Sequence, residues 1–189
     1  MAGEESLDDS VVLMLGLIKK LFGRNKRAVV ENVVDEHGEP KRRIKRADLE
    51  REPYLAWNSF VDLIIMTEYE DLSPRQRGAH LALWYQSEVM NGGHLQYFEN
   101  RGTIHLEETI EALRALGAEA QAAILSQARE RYFAKERPRI DSVWEYVEEA
   151  RKLEYEDLDN AFYNAEPSLD ALLEKHLHEN IQWYLEIID

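Results

Sequence analysis

Two groups of residues in this sequence have types and spacings that could do chemistry. The first is centred on Glu88, which shares a helical stripe with Trp84 and is followed by Gly92 and Gly93. A carboxylate on the apolar side of a helix faces the interior, where it needs hydrogen-bond donors. Adjacent glycines break or kink a helix, and a helix that restarts there has free backbone N–H groups. The sequence therefore predicts a carboxylate beside a kinked helix.

This carboxylate could have either of two roles. With Asn91, Glu88 could hold the two helices together at the kink by accepting the free N–H groups. Alternatively, Glu88, Asn91, His94 and Gln96 could line a cleft in which Glu88 acts as a general base. We favour the first role, because no second acid, nucleophile or metal-binding cluster lies at a suitable spacing. The sequence predicts no catalytic residue, no metal site and no cofactor.

Other features of the first group have simpler explanations. Gly92 and Gly93 could bind an anion at a helix start, but no Gly-Lys-Ser/Thr sequence follows them and no strand precedes them. Tight packing is the favoured interpretation. His176 and His178 are two residues apart and point to different sides of a helix. We expect His176 to be a hydrogen-bonded core histidine rather than a ligand.

The second group is a cluster of carboxylates near the C-terminal third of the chain. Side chains three or four positions apart on a helix lie about 5–6 Å from each other at Cβ, a spacing that approaches that of phosphates along one DNA strand. Like charges at this spacing destabilise a helix, which is easier to explain if they bind a partner. The alternative is a solvated face. The predicted partner-binding residues are Glu145, Glu148, Glu149, Glu156, Asp157 and Asp159.

The net charge of −14 is unevenly distributed along the 189 residues. Residues 1–57 contain 11 basic and 11 acidic side chains, so the whole excess lies after residue 57, where there are 12 basic and 26 acidic ones. Phosphates would be repelled by such a surface, which argues against direct nucleic-acid binding, whereas a basic protein would be attracted. The charge could also serve only solubility.

The first residues of the chain indicate its compartment and whether it contacts a membrane. An acidic start is unlike the basic start of a secretory signal. The apolar run at residues 11–18 is too short to span a bilayer. We expect a soluble cytoplasmic protein with no membrane contact. The absence of cysteine excludes disulfides and thiolate metal sites.

The elements that must position these residues are mainly helical. We predict an all-α bundle at residues 53–189 with an N-terminal addition at residues 1–52, made of a helix at 7–22 and a β-hairpin with strands at 28–34 and 41–46. The basic residues of the second strand could contact nucleic acid, but a charged hairpin edge is the favoured interpretation.

Helix boundaries are marked by caps and glycines. Ser73 with Pro74 begins the helix that carries Glu88, and a short helix after the glycine pair ends near Gly102. Another helix is predicted to begin at Pro53 and to run to about Tyr69. Further helices are predicted from Leu106 to Gly117, from there to about residue 133, from about residue 142, and from Ser168 through Tyr184. Residues 158–164 form a short aromatic segment between the last two helices.

The spacing of residues after Glu88 resembles a known family signature. The matching pattern is Glu88-x-x-Asn91-Gly92-Gly93-x-x-Gln96-Tyr97-Phe98-x-Asn100. A second, weaker pattern contains Leu158-Asp159-x-Ala161-Phe162-Tyr163, then Leu169-x-x-Leu172-Leu173, then Asn180. Together they resemble the bacterial DNA-mimic-protein domain family, first catalogued as a domain of unknown function, over about residues 53–185. His94 departs from the family pattern, which more often has an aromatic residue such as Phe there.

The resemblance implies an all-helical, often dimeric, non-enzymatic protein. For at least one member it implies an acidic surface that imitates DNA and binds a transcription factor. It also implies that Glu88, Asn91, Gly92, Gly93, Gln96, Phe98 and Asn100 form a structural motif.

Our first hypothesis is a non-catalytic acidic protein that binds a basic partner, possibly a DNA-binding protein that it regulates by mimicking DNA. The alternatives are an immunity-type protein that neutralises a toxin or nuclease, and an enzyme that uses the cleft near Glu88.

Overall fold

The computed structural model describes residues 30–137 and 139–189. Within these ranges the protein is mainly helical and has one three-stranded sheet. This confirms the predicted class, a helical domain with a small β-hairpin addition. The helix predicted at residues 7–22 and the beginning of the first predicted strand, residues 28–29, lie outside the described residues.

The predicted hairpin is present and consists of β1 (Glu31–Val34) and β2 (Pro40–Lys45), which pair antiparallel. Asp35 shapes its turn, because its carboxylate accepts the backbone N–H groups of His37 and Glu39, each at 2.9 Å. The same carboxylate pairs with Lys41 at 2.8 Å. The hydrogen bond from Lys41, together with those from the backbone, lowers the pKa of Asp35 to about 2.

The sheet has a third strand that was not predicted from the sequence. β3 (Leu185–Ile188) pairs in parallel with β2, which is therefore the central strand. The last helix was predicted to reach Tyr184, but it ends at Glu179. The unpaired backbone groups of β2 need partners, and β3 supplies them. Arg43 strengthens the pairing by donating to Glu186 at 3.0 Å.

The helices lie between β2 and β3 in the chain. They are α1 (Arg46–Arg51), α2 (Tyr54–Met66), α3 (Pro74–Arg101), α4 (Leu106–Ala115), α5 (Glu119–Phe133), α6 (Val143–Ala150), α7 (Glu156–Tyr163) and α8 (Leu169–Glu179), with short 3-10 turns at Tyr69–Asp71 and Ile181–Trp183. Helix α1 was not predicted from the sequence.

Most helix boundaries obey the predicted signals. At the start of α3 the side-chain oxygen of Gln76 accepts the backbone N–H of Ser73 at 3.0 Å. Ser142 and Ser168 cap α6 and α8, because each hydroxyl accepts the backbone N–H of the residue three positions later. Gly102 ends α3 with φ of 62°. These local rules place the elements before tertiary packing is considered.

Buried polar contacts attach the sheet to the helices. Arg42, only 4% exposed, donates to the carboxylate of Asp62 at 2.8 Å. The side chain of Gln76 donates to the carbonyls of Pro40 and Trp183 at 2.9 and 2.7 Å. Arg42 of the basic second strand is therefore ion-paired within the protein. The interpretation of this strand as a solvated hairpin edge was wrong, because β2 is the central strand and Arg42 is buried. The predicted division into units at residue 52 stays a prediction.

The apolar core lies among α2, α3, α4, α5, α7 and α8. Tyr85 is fully buried near its centre, and its ring contacts those of Tyr97 and Phe162 edge-on, with 5.2 Å between centroids in both cases. Aromatic pairs in this arrangement stabilise by about 0.5–1.5 kcal/mol beyond the area that they bury. These ring contacts therefore hold α7 against the two parts of α3 that flank the glycine pair.

Candidate functional site

The glycine pair interrupts α3, as predicted. Gly92 has φ −153° and ψ 23°, and Gly93 has φ 73° and ψ −172°. A Cβ atom on Gly93 would lie 2.8 Å from Cγ of Asp159, and one on Gly92 would lie 3.0 Å from Cδ of Gln96. Both glycines are needed because polar side chains pack directly against the backbone of the kink. Gly93 also needs the left-handed region that other residues rarely adopt.

Glu88 lies beneath the kink and is only 4% exposed. Its Oε2 accepts hydrogen bonds from the side-chain amides of Gln96 and Asn100, both at 2.8 Å, and its Oε1 accepts one from Nε of Arg101 at 3.0 Å. Asn91 completes the group by donating to Oε1 of Gln96 at 3.0 Å. The carboxylate therefore joins the two halves of α3 across the kink.

One part of the prediction for Glu88 was wrong. The free backbone N–H groups after the kink were expected to be its donors, but all three recorded donors are side chains. The N–H of His94 instead donates to Oδ1 of Asp159 at 2.8 Å. Asp159 takes this position because α7 packs across the kink, whereas Glu88 lies one turn earlier on α3. The remaining motif residue, Phe98, is buried and stacks on Tyr132 with 4.3 Å between ring centroids.

Asp159, His94 and Tyr85 form a hydrogen-bonded chain through the core. Oδ1 of Asp159 lies 2.6 Å from Nδ1 of His94, and Nε2 of His94 lies 2.9 Å from the Tyr85 hydroxyl. A carboxylate beside Nδ1 selects the tautomer with a proton there, so Nε2 accepts from Tyr85. Burial raises the pKa of Tyr85 well above its usual value. His94 and Tyr85 are both fully buried, and the chain positions α7 against α3.

Glu88, Gln96 and His94 do not line the two clefts described within residues 30–137 and 139–189. Glu88 and Gln96 are hydrogen-bonded to each other, and His94 is fully buried. A general base must reach the proton that it removes. These contacts favour the structural role of Glu88 over its role as a general base.

Of the predicted carboxylates, three lie on α6. Glu145 accepts the backbone N–H of Asp141 at 2.8 Å, which lowers its pKa. Glu148 is exposed, and no ion pair is recorded for it within the described residues. Glu149 forms an ion pair with Lys152. Within the described residues, two of the three carboxylates on the α6 face therefore have no ion pair.

The other three carboxylates lie in the first turn of α7. Glu156 is exposed and, within the described ranges, has no recorded ion pair. Asp157 accepts two hydrogen bonds from Arg131, at 2.6 and 2.9 Å, and these lower its pKa to about 2. Asp159 binds the kink as described above. The six residues are therefore unequal, and their role in partner binding stays a prediction.

A cleft beside the kink, of roughly 250 Å³, lies between α3, α6 and α7. We call it the kink cleft, and its lining is Gly92, Gly93, Leu95, Glu149, Ala150, Leu153, Glu154, Tyr155, Glu156, Asp159, Asn160 and Tyr163. Glu154 belongs to the same acidic segment but was not among the predicted partner-binding residues. It pairs with Arg137 at 2.7 Å and with Lys135 at 2.9 Å, and the hydrogen bond from Arg137 is the main cause of its pKa of about 2.

The histidines do not form a metal site. No group of three potential metal ligands among His, Cys, Asp and Glu was found within residues 30–137 and 139–189. Nε2 of His176 lies 2.7 Å from the Tyr184 hydroxyl, and burial lowers the pKa of His176. This agrees with the expected role of His176 as a hydrogen-bonded core residue.

A known protein family matches the region of the chain that contains the kink. A family model described as DMP19-like protein matches residues 70–180, which is more than half of the chain and contains the kink, the Glu88 contacts and Asp159. The chain belongs to the DMP19-like protein family. This confirms the resemblance of the Asn91-Gly92-Gly93 pattern to DNA-mimic proteins, and the family name itself denotes DNA mimic protein 19. No curated protein and no solved structure matches the chain.

Membership of the DMP19-like family explains the fold more directly than the activity. The matched residues include the Glu88 contacts and the Asp159 chain, both of which hold helices together. Among the described helices, none has the length and apolar character needed to cross a membrane. Surface carboxylates outside these contacts are the remaining candidates for a functional site.

Proposed function

We propose that this protein is a non-catalytic DNA mimic that binds a basic DNA-binding protein, such as a transcription factor, and thereby regulates it. The observation that carries the proposal is the set of exposed carboxylates on α6 and at the start of α7, in a DMP19-like chain whose net charge is −14. Like charges on one helical face repel each other, and a cationic groove would relieve that repulsion.

The ion pairs on this surface do not prevent such binding. Exposed pairs such as Asp157–Arg131 stabilise a protein by only about 0–1 kcal/mol. Arg131 is two-thirds buried and fixed by a further hydrogen bond to the carbonyl of Glu154, so Asp157 can exchange partners without moving α5. A basic partner can therefore recruit Asp157 in addition to Glu145, Glu148 and Glu156.

The buried polar groups support a non-catalytic role. Glu88 has all of its recorded bonds within the kink, and the Asp159–His94–Tyr85 chain ends at a fully buried hydroxyl. Both arrangements resemble catalytic constellations in composition, but Glu88, His94 and Tyr85 are all buried. They account for the motif residues without a reaction.

The proposal places the protein in the cytoplasm, where a DNA-binding protein would be available. It is also compatible with the homodimer implied by the family resemblance, which would double the number of carboxylates presented. Sedimentation equilibrium of the full chain measures whether it is a monomer or a homodimer.

Affinity capture with the full chain tests the proposal. We expect a basic DNA-binding protein to be retained at about 50 mM salt, lost at about 500 mM because screening shortens the reach of surface charges, and displaced by duplex DNA. Retention of only salt-insensitive partners would overturn it, and a nuclease toxin as partner would favour the immunity alternative.

A matched pair of variants locates the surface. The triple variant E145Q/E148Q/E156Q removes three exposed carboxylates of α6 and α7 and should weaken capture at least tenfold. The control E111Q/E119Q/E174Q removes three exposed carboxylates from α4, α5 and α8, with the same change in net charge. Equal weakening by both would mean that only overall charge matters.

A further inference from the structure

A second cleft, separate from the kink cleft, lies between the two halves of α3, the connection that precedes this helix and the start of α4. Its volume is roughly 310 Å³, which makes it the larger of the two clefts within residues 30–137 and 139–189. We call it the aromatic cleft after its lining residues Tyr69, His80, Trp84 and His105, beside which lies Arg101. Its size is within the range of about 300–1,000 Å³ typical of small-molecule sites.

The rings of the aromatic cleft form one continuous group. The centroids of Tyr69 and His105 are 4.3 Å apart, and the His80 ring lies 5.8 Å from Tyr69 and 6.3 Å from Trp84. Trp84 is only 8% exposed, so most of its surface is kept from bulk water. Flat aromatic walls favour a flat occupant, because ring faces and edges gain most from other rings.

His80 offers a hydrogen-bond acceptor to the cleft. Its Nδ1 lies 2.6 Å from the carbonyl oxygen of Ile64, which can only accept, so we assign the proton of the neutral ring to Nδ1. Burial lowers the pKa of His80 to about 4, so the ring is neutral at pH 7 and Nε2 keeps its lone pair. Nε2 has no hydrogen bond within the described residues and is not one of their fully buried unpartnered atoms, so a ligand can reach it.

Arg101 offers donors to the same cleft. Its guanidinium carbon lies 3.4 Å from the centroid of the Trp84 ring, and its Nε donates to Glu88. The Nη groups have no hydrogen bond in the described part of the chain and are not among its fully buried unpartnered atoms. The charge of Arg101 also lowers the pKa of His80, so the two side chains lie within electrostatic range of each other.

The arginines disfavour a cationic occupant. Aromatic faces attract cations, but Arg101 already covers Trp84, and the guanidinium carbon of Arg77 lies 4.8 Å from the centroid of Tyr69. A further cation at these rings would be repelled by both guanidinium groups.

An anionic occupant is disfavoured as well. Glu88 neutralises Arg101 through an ion pair of 3.0 Å, and the exposed Glu68 contributes a carboxylate to the lining. Nε2 of His80 would also turn its lone pair towards the anion. The remaining class of occupant is an uncharged molecule that carries both a donor and an acceptor.

We propose that the aromatic cleft binds a small, uncharged, planar heterocycle with a carbonyl group beside an N–H group, which is the hydrogen-bonding edge of a cyclic amide. The carbonyl accepts from the guanidinium of Arg101, and the N–H donates to Nε2 of His80. This goes beyond the proposed function, because none of the described residues of α6 and α7 lines the aromatic cleft. Capture of a basic protein and binding of a heterocycle can therefore succeed or fail separately.

Calorimetric titration of the full chain tests the class of ligand. Uracil, an uncharged cyclic amide, should bind with a dissociation constant of about 1 mM or tighter. The analogue 1,3-dimethyluracil keeps the ring and both carbonyls but has no N–H group. It should bind at least tenfold more weakly, because Nε2 of His80 is left without a donor. Equal binding of the two, no binding of uracil, or tighter binding of benzoate or tetramethylammonium would overturn the inference.

Nitrogen NMR of the unaltered chain locates the ligand. Uracil should shift the resonance of Nε2 in His80, because that atom gains a hydrogen bond. The exposed His37 and His178 are internal controls and should keep their resonances. Binding without a shift at His80 would place uracil elsewhere and contradict the inference.

A matched pair of variants tests the donors. R101K keeps a positive charge beside Glu88 but has no planar fork of N–H groups, so it should bind uracil at least tenfold more weakly. R114K makes the same change at an exposed site of α4 outside the cleft and should bind uracil as the unaltered chain does. Equal affinity of the two variants would count against the proposed site. If R101K does not fold, the dimethyluracil titration and the NMR experiment on the unaltered chain still decide.

Discussion

The carboxylate oxygen Oδ1 of Asp159 lies 2.6 Å from Nδ1 of His94 and also accepts the backbone N–H of His94 at 2.8 Å. The two residues are 65 positions apart, and their contact fixes α7 onto the kink of α3. This one carboxylate thus satisfies a helix-start N–H and orients a buried imidazole, which in turn accepts from Tyr85.

Replacing Asp159 by Asn should lower the free energy of unfolding by about 1–3 kcal/mol, the range for leaving buried hydrogen-bonding groups unsatisfied. Urea unfolding of the full chain measures this loss. The control is D157N in the same helical turn, which breaks only an exposed ion pair and should cost less than about 1 kcal/mol. D159N should also be non-additive with H94F; strict additivity would mean that the pair does not act as a unit.

Gly93→Ala should be more damaging than the same change at Gly102. Both glycines have positive φ, at 73° and 62°, but nothing lies within 4 Å of a Cβ at Gly102, whereas Asp159 would be displaced at Gly93. The conformational part alone costs about 1–3 kcal/mol, and G93A adds the loss of the Asp159 contacts. Thermal unfolding should show about 2–4 °C per kcal/mol for a chain of this size. Equal shifts for the two variants would contradict the role given to Asp159.

Glu88→Gln should destabilise the kink. A glutamine has one oxygen acceptor and brings an NH₂ group towards the donors Gln96, Asn100 and Arg101, so charge-assisted bonds of about 1.5–3 kcal/mol each are weakened. The melting temperature is the measurement. E99Q on the same helix is the control, since burial already raises the pKa of Glu99 and its neutral form is less costly there. An unchanged melting temperature in E88Q would show that Glu88 does not hold the kink together.

Acid should weaken the attachment of the segment before α7. The hydrogen bond from Arg137 lowers the pKa of Glu154 from 4.5 to about 2. A carboxylate whose pKa is lower in the folded than in the unfolded protein stabilises the fold when the pH is above the unfolded-state pKa. This stabilisation is lost as the pH falls through the folded-state pKa, so the contribution of Glu154 disappears between about pH 4.5 and pH 2. R137M should flatten this part of the stability profile measured by urea unfolding. R139M, beside the exposed Asp141, should leave it unchanged.

A second pH window belongs to His80. Nδ1 of His80 contacts the carbonyl of Ile64 at 2.6 Å, and burial lowers its pKa from 6.5 to about 4. Below pH 6.5 the unfolded chain binds a proton at His80 that the folded chain does not take up until about pH 4. The free energy of unfolding is therefore highest above pH 6.5 and decreases as the pH falls from 6.5 to about 4. H80Q should reduce the fall by at least about 1 kcal/mol. H37Q, in the exposed hairpin turn, controls for the loss of a histidine.

The local architecture was predictable because its rules act over three or four residues. Ser142 and Ser168 accept N–H groups of their own helices, and Gly92 with Gly93 interrupts α3. The position of Glu88 on the stripe of Trp84 also placed it in the interior. The third strand was not predictable in this way, because β3 forms only where β2 offers it an edge.

The sequence by itself determined the excess of carboxylates after residue 57, the helical class and the kink, since composition and near-neighbour spacing are properties of the chain alone. Only the tertiary structure decided which carboxylates remain available. Asp159 is held by His94 and Asp157 by Arg131, through contacts 65 and 26 residues apart, while Glu148 and Glu156 stay exposed. The physical reason is that the ion pairs and hydrogen bonds of a carboxylate depend on which helices pack together. Local sequence patterns do not specify contacts between residues so far apart in the chain.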